Sequence, residues 1–451
     1  MKSVRRFLRE NPGRWQLAAA VFALAALLPE YLMPVFCVAA YACILRRGKA
    51  PLSLPEKIAL TLYGWMFVGV LYSHARVSAV SILFLWGFFL LGSRMMQQSV
   101  DSAARLDAVI FCGALGGGAA GGIGILQMLL FHYGGRVAKP LETCLNPFWH
   151  MLDMHVADLA VRIWPKNMLS VLQRTQFIAI RDRASGTFTN PIFFAVFLCM
   201  MLPLCAYGVF YGDSRKKRVI SLVCLGLAIG GVACSYSRGP YLAVAVVFVV
   251  LLFYGRRYAW RLAVAGAVVL AGLSVSARGV FRRLLTLFHA EDISVSTHAN
   301  IWRACFQMLR GHWLFGYGTG VGNVRNMLHE IYHIQQPHAH NLILEFLLEN
   351  GVVGAALFLA MLAVAAVQLL RLTRQGGRAR GAAVTLLASL AAFCACGMSD
   401  YLFYGLKPIC YFWMAMGLAS CAARIYAQPA DVKTDASGDA AHETASVGER
   451  L

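Results

Sequence analysis

The chain has 451 residues, 59% of them hydrophobic and only 14% charged, and its 41 Lys and Arg against 21 Asp and Glu give a formal charge of +20. That composition excludes a soluble enzyme, a disordered chain and a DNA-binding domain; the positive charge implies no nucleic-acid partner, because Lys and Arg also gather in cytoplasmic loops as orientation signals. A bilayer-spanning helix takes ~20 apolar residues, so about twelve would use roughly 240 and leave roughly 210 for loops and tails.

In chain order, residues 1–14 are a basic start (Lys2, Arg5, Arg6, Arg9, Arg14) running into an apolar stretch with no small-residue cleavage site, which reads as a retained cytoplasmic N-terminus. Apolar runs follow at 15–29, 31–45, 57–73, 77–93, 107–131, 188–211, 219–236, 240–255, 261–277, 341–370, 382–399 and 406–424. They predict an all-α polytopic integral membrane protein of about 12 transmembrane helices, its membrane domain covering 15–425. Pro29-Glu30, between the first two runs, is either a tight hairpin or a kink in one long helix.

Counting twelve spans from an inside start puts every short basic cluster on one face: Arg46, Arg47, Lys49 and Lys57; Arg94 and Arg105; Arg215 to Arg218; Arg256, Arg257 and Arg261; and Arg371, Arg374, Arg378 and Arg380. The short connections on the other face carry only Arg76, Arg238 and Lys407 as basic residues, which selects the hairpin and places both termini inside. Residues 426–451, without an aromatic from Gln428 on, read as a disordered cytoplasmic tail. Of the 13 cysteines, only Cys144 and Cys305 lie in long polar loops, where they either pair or are unrelated.

Two long loops, about 133–187 and 278–340, fall outside. The first has apolar residues at helical spacing (Phe148-Trp149, Leu152, Val156, Leu159, Ile163-Trp164), which suits an amphipathic helix lying either on the membrane or on the protein's own outer face. The second holds six arginines, from Arg278 to Arg325, and the glycine-rich run Gly316 to Gly322. That run lacks the Lys-Ser/Thr ending and the preceding strand of a phosphate loop, so it reads as a tight turn.

The densest polar sequence is His333-Ile334-Gln335-Gln336-Pro337-His338-Ala339-His340-Asn341, running straight into a hydrophobic helix with Glu345 and Glu349 in its first turns. Carboxylates there are costly unless they face protein or water, which suggests an aqueous cavity at the membrane boundary. His333, His338 and His340 have no standard zinc spacing, and no metal or other cofactor is expected. A histidine at a helix start is also a common cap, and an arginine at a helix end a common anchor.

His340-Asn341, followed by Gly351 and Gly354, resembles the pattern of the O-antigen ligase and O-antigen polymerase superfamily. So do Trp302 with Gly311 to Gly320, Arg183 to Pro191, and Ser237-Arg238-Gly239, in that family's order over about 183–400. Departures are His298 where many members have arginine, and His312-Trp313 where a His-Pro pair is usual. The resemblance implies a GT-C-like fold and a glycosyltransferase of the cytoplasmic (inner) membrane of a bacterium. It would move a saccharide from an undecaprenyl-diphosphate carrier to a glycan or glycolipid acceptor hydroxyl on the outer side, without a metal. It also implies His340 as the base and Arg183 and Arg238 on the donor diphosphate, with Asn341, Glu345, His338, Gly351 and Gly354 in support and the two glycines allowing close helix packing. A ligase and a repeat-unit polymerase share these motifs. A transporter of lipid-linked sugars, the reading from another class, would call for charges near the bilayer midplane and a pseudo-repeat, and neither is present in the sequence.

Overall fold

The structure, a computed structural model, describes residues 13–28, 32–45, 50–133, 183–254 and 293–427. The described elements are helical: α1 (Arg14–Leu24), α2 (Leu32–Leu45), α3 (Leu54–Tyr72), α4 (Arg76–Ser99), α5 (Ala103–Tyr133), α6 (Pro191–Tyr211), α7 (Arg215–Cys234), α8 (Arg238–Leu251), α9 (Ile293–His312), α10 (Gly322–Glu330), α11 (Leu342–Thr373), α12 (Gly377–Gly397) and α13 (Leu406–Ala427). Eleven of the twelve apolar runs coincide with described helices; the run at 261–277, the amphipathic stretch of the 133–187 loop, Cys144 and the 428–451 tail lie outside the described residues. Eight helices, namely α3 to α7 and α11 to α13, are long and apolar enough to cross a membrane, while α2 and α8 are apolar but shorter. α1 and α2 are separate helices packed on each other, as a hairpin requires.

Local sequence sets the helix starts. Ser53 and Glu56 form a capping box ahead of α3, with Pro55 in its first turn. Asn190 caps α6 through the Ile192 N–H at 2.8 Å, with Pro191 supplying a pre-set φ at the first helical position. On α5, a Cβ at Gly121 would run into the Leu227 backbone of α7, so glycine lets these two helices touch.

α6 and α13 are buried nearly all round, whereas α3, α7 and α11 each keep an apolar face outward, as lipid-facing helices do. α4 packs on α13, α12 on α6 and α8, and α3 on α11. An aromatic cluster joins α4, α11 and α13, with Trp86 5.5 Å from both Phe346 and Trp413 between ring centroids.

Helix direction alternates, so the connections sort to two ends. At one end Arg94 pairs with Glu56 (3.5 Å) and Arg378 with Asp107 (2.6 Å) and Asp213. At the other, the Ala75 N–H donates to Asn323 (2.8 Å), Asn341 donates to the Met398 carbonyl (3.1 Å), and buried Lys407 donates to the Ala26 and Thr187 carbonyls over the Phe188 ring. These are called below the arginine end and the histidine end.

Candidate functional site

The site grows from the start of α11. Asn341 is its N-cap: the side-chain oxygen accepts the Ile343 and Leu344 N–H groups (3.1 and 3.0 Å) while the amide nitrogen reaches the α12–α13 connection. His340, immediately before the cap, is held at φ 50, a left-handed conformation uncommon for a side chain with a Cβ. The cap therefore fixes where the imidazole points: its Nδ1 lies 3.0 Å from Asp400 Oδ1 and its Nε2 3.1 Å from Gln336 Oε1. Asp400 is nearly inaccessible and also accepts the Tyr401 N–H at 2.8 Å. Burial opposes its charge, but the His340 hydrogen bond and the neighbouring His338 hold the carboxyl below its usual range. An ionised Asp400 favours the His340 tautomer with its proton on Nδ1, and Nε2 is then an acceptor, to which Gln336 must turn the NH₂ rather than the oxygen of its amide.

His338 is buried beside this pair, its ring 4.2 Å from that of His340 and 5.0 Å from Tyr404. Its Nδ1 accepts the His340 N–H at 3.2 Å, and burial pushes its pKa down to about 4, keeping the ring neutral. His298, on α9, sets its ring 5.1 Å from His340 and also faces Trp302. Burial, with His340 and Arg238 adding to it against the pull of Asp400, lowers its pKa. Trp302 anchors α9 to the same loop by donating to the Ala339 carbonyl at 3.0 Å.

Ligand atoms of His338, His340 and Asp400 lie within 4.8 Å of one another, a spacing a cation would accept. Within the protein, His338 Nδ1 takes a backbone N–H, and Asp400 Oδ1 takes His340 and Tyr401.

Arg238 is the first residue of α8, and Gly239 beside it packs so closely on Ser399 that a Cβ would collide. The Ser237-Arg238-Gly239 turn therefore abuts the Asp400 connection, and Arg238 comes within electrostatic reach of His298. Arg183 lies one layer behind: Nε donates to the Ser235 carbonyl (2.9 Å) and a terminal nitrogen to Ser237 (2.8 Å). It clamps the turn that presents Arg238, a turn in which Tyr236 also takes a positive φ.

Glu345 and Glu349 are fully buried and tie two loops to α11. Glu345 accepts the Ala339 N–H at 2.6 Å and Glu349 the Gly320 N–H at 3.0 Å, so they fix the site's loops from below. The two glycines differ. Gly354 faces the Trp65 indole on α3, a close helix contact, but Gly351 (φ 63, ψ −173) is a break in α11, and a Cβ there would strike the Leu314 carbonyl of a loop. The Gly316 to Gly322 turn is buried against α3 and α4, with its N–H groups at Gly320 and Gly322 bonded to Glu349 and Ser78.

Sequence reasoning passed over Asp400 and its neighbour Tyr401. The signal was present: among the short connections on that face, Ser399-Asp400 puts an acid between two apolar runs, where a carboxylate is expensive.

A family model described as O-antigen ligase matches residues 222–359. Over that region, about a third of the chain, the protein is similar to the O-antigen ligase family. The region runs from α7 through the upper part of α11 and includes Arg238, His298, His338, His340, Asn341, Glu345, Gly351 and Gly354. Arg183 and Asp400 lie outside it and reach its residues only through the fold. The match supports an enzyme of membrane polysaccharide biosynthesis, and the family the chain resembles acts on lipid-linked glycans. No curated protein matches the chain.

Proposed function

We propose that the protein transfers a saccharide from an undecaprenyl-diphosphate carrier to an acceptor hydroxyl at the outer face of the cytoplasmic membrane, as a ligase. The observation that carries this reading is the His340–Asp400 couple, with His298 against His340 and within electrostatic reach of Arg238. Neutral His340, its Nδ1–H on Asp400, takes the acceptor proton on Nε2. The acceptor oxygen forms a bond to the anomeric carbon as the bond from that carbon to the diphosphate oxygen breaks, with inversion. Undecaprenyl diphosphate leaves with the bonding electrons, and Arg238 stabilises its charge. Arg183 acts as a positioning residue, through the turn it clamps, and His298 offers a neutral hydrogen bond where a second cation would otherwise stand.

The test uses purified protein with an undecaprenyl-diphosphate glycan and candidate acceptors, comparing wild type with His340→Ala and Arg238→Ala. Undiminished transfer by both variants would sink the assignment. A single size shift of the acceptor identifies a ligase, and a ladder of repeats on the lipid identifies a polymerase.

A further inference from the structure

The segment Trp313-Leu314-Phe315 joins α9 to the glycine-rich turn and leaves three large apolar side chains in a row outside the protein, at 57%, 38% and 52% exposure. In a water-facing loop, such a run would be a liability. Its backbone behaves in the opposite way. The Trp313 carbonyl accepts the Val352 N–H (2.8 Å), the Phe315 carbonyl accepts the Tyr72 hydroxyl (2.7 Å), and the Gly316 N–H donates back to His312 (2.8 Å). The Tyr317 N–H donates to the Leu348 carbonyl (2.7 Å), and Asn323 donates to the Tyr317 carbonyl (2.8 Å). The Trp313 and Phe315 carbonyls and the N–H groups of Gly316 and Tyr317 are turned inward and bonded while the apolar side chains are turned outward, the arrangement that hydrocarbon imposes on non-helical chain.

The level of the segment follows from its neighbours. Phe315 stacks on Trp65 (5.8 Å, 29°), and Trp65 donates to the Asn350 carbonyl at 2.9 Å. α3 has 19 residues, about 28 Å at 1.5 Å per residue, close to one hydrocarbon thickness, and Trp65 lies roughly 10 Å inside its Tyr72 end. On either side the surface continues as lipid-facing helix, with Phe67 and Leu71 of α3 and Val352 and Leu359 of α11 all exposed. The break at Gly351 belongs to the same arrangement, because it frees the Leu348 carbonyl and the Val352 N–H that the segment takes up.

We infer that Trp313-Leu314-Phe315 is a re-entrant wedge embedded in the leaflet at the histidine end, with the acyl chains of bilayer lipid as its partner. The aromatic rings sit where aromatic belts form, and the wedge makes the link between α9 and the glycine-rich turn part of the membrane surface. This goes beyond the transfer reaction and does not depend on it.

The experiment is tryptophan fluorescence of the full chain in nanodiscs made with dibrominated phospholipid, whose bromines quench only indoles in contact with acyl chains. Trp313 is one of nine tryptophans, so Trp313→Phe should remove about a ninth of the total emission, and that part should come from the lipid-quenched fraction. Phe315→Trp, which keeps an aromatic ring over Trp65, should add a lipid-quenched component and so reads the same property in an independent fold background. If the emission lost in Trp313→Phe or gained in Phe315→Trp is instead quenched by aqueous iodide and untouched by bromolipid, the segment is in water and the inference is overturned.

Discussion

The two ends of the bundle handle charge in opposite ways. At the arginine end most pairs are exposed, Arg94 with the buried Glu56 being the exception: Arg378 and Asp213 are both about half exposed, and Lys217 and Asp213 form an exposed i,i+4 pair. At the histidine end the ionisable groups are buried: His338, Asp400, Glu345 and Glu349 are almost inaccessible, and their partners are backbone N–H groups and one another. All three described non-glycine residues with positive φ, namely Tyr236, His333 and His340, also lie there. Exposed pairs at one end suit orientation of the chain in the bilayer, while burial and backbone strain concentrated at the other suit a reaction centre.

The contrast can be broken by substitution. The largest effect belongs to His340→Ala, which should lower the transfer rate by roughly 10²–10⁴-fold. Binding of the lipid donor, measured by a retained affinity in detergent, should stay near wild type, and a parallel loss of both would point to misfolding. Asp400→Asn should come next, at about 10²-fold or more, because the amide leaves the His340 tautomer unspecified. A pH-rate profile identical in shape to wild type would argue against that coupling.

Stability should depend on pH because of the histidine end. An unfolded His338 takes a proton below about 6.5 while the folded one resists until about 4, so the unfolded state binds more protons across that window. The His338 contribution to stability should therefore fall as pH drops from about 6.5 towards about 4, by roughly 3 kcal/mol in all, with His298 acting in the same direction, and it is read as the difference between wild type and His338→Gln. Asp400, whose carboxyl lies below its ordinary range, withdraws its contribution only at lower pH still. Thermal unfolding in detergent across this range should show the slope, and His338→Gln should flatten it.

Asn341→Ala removes the cap of α11 and should cost about 1 kcal/mol, read as a lowered melting temperature. The smallest effect should be at the other end: Arg378→Ala disrupts an exposed network worth about 0–1 kcal/mol and should leave transfer unchanged. An Arg378 effect as large as that of Asp400 would erase the distinction between the ends.

Much of this was legible in the sequence because membrane helices advertise themselves by length and hydropathy. The caps Ser53, Asn190 and Asn341 are local features, each set by a few neighbouring residues. Other features depend on pairing across hundreds of residues or on one backbone angle. Asp400 reads as a lone acid until the fold brings it, 60 positions on, to His340. Gly351 sits in an apolar run where a glycine suggests helix contact, and only its φ reveals a break filled by Trp313 to Tyr317. His298 stands out in the sequence as a departure from a pattern, and its ring against His340 becomes visible only when α9 is laid across the loop.

The left-handed backbone at His340 has a price in evolvability. Glycine or asparagine would occupy φ 50 with less strain, so the fold itself favours replacing this imidazole. Drift towards a sturdier chain and retention of a basic nitrogen at this corner pull against each other, and a sequence optimised for melting temperature alone would lose its histidine there first.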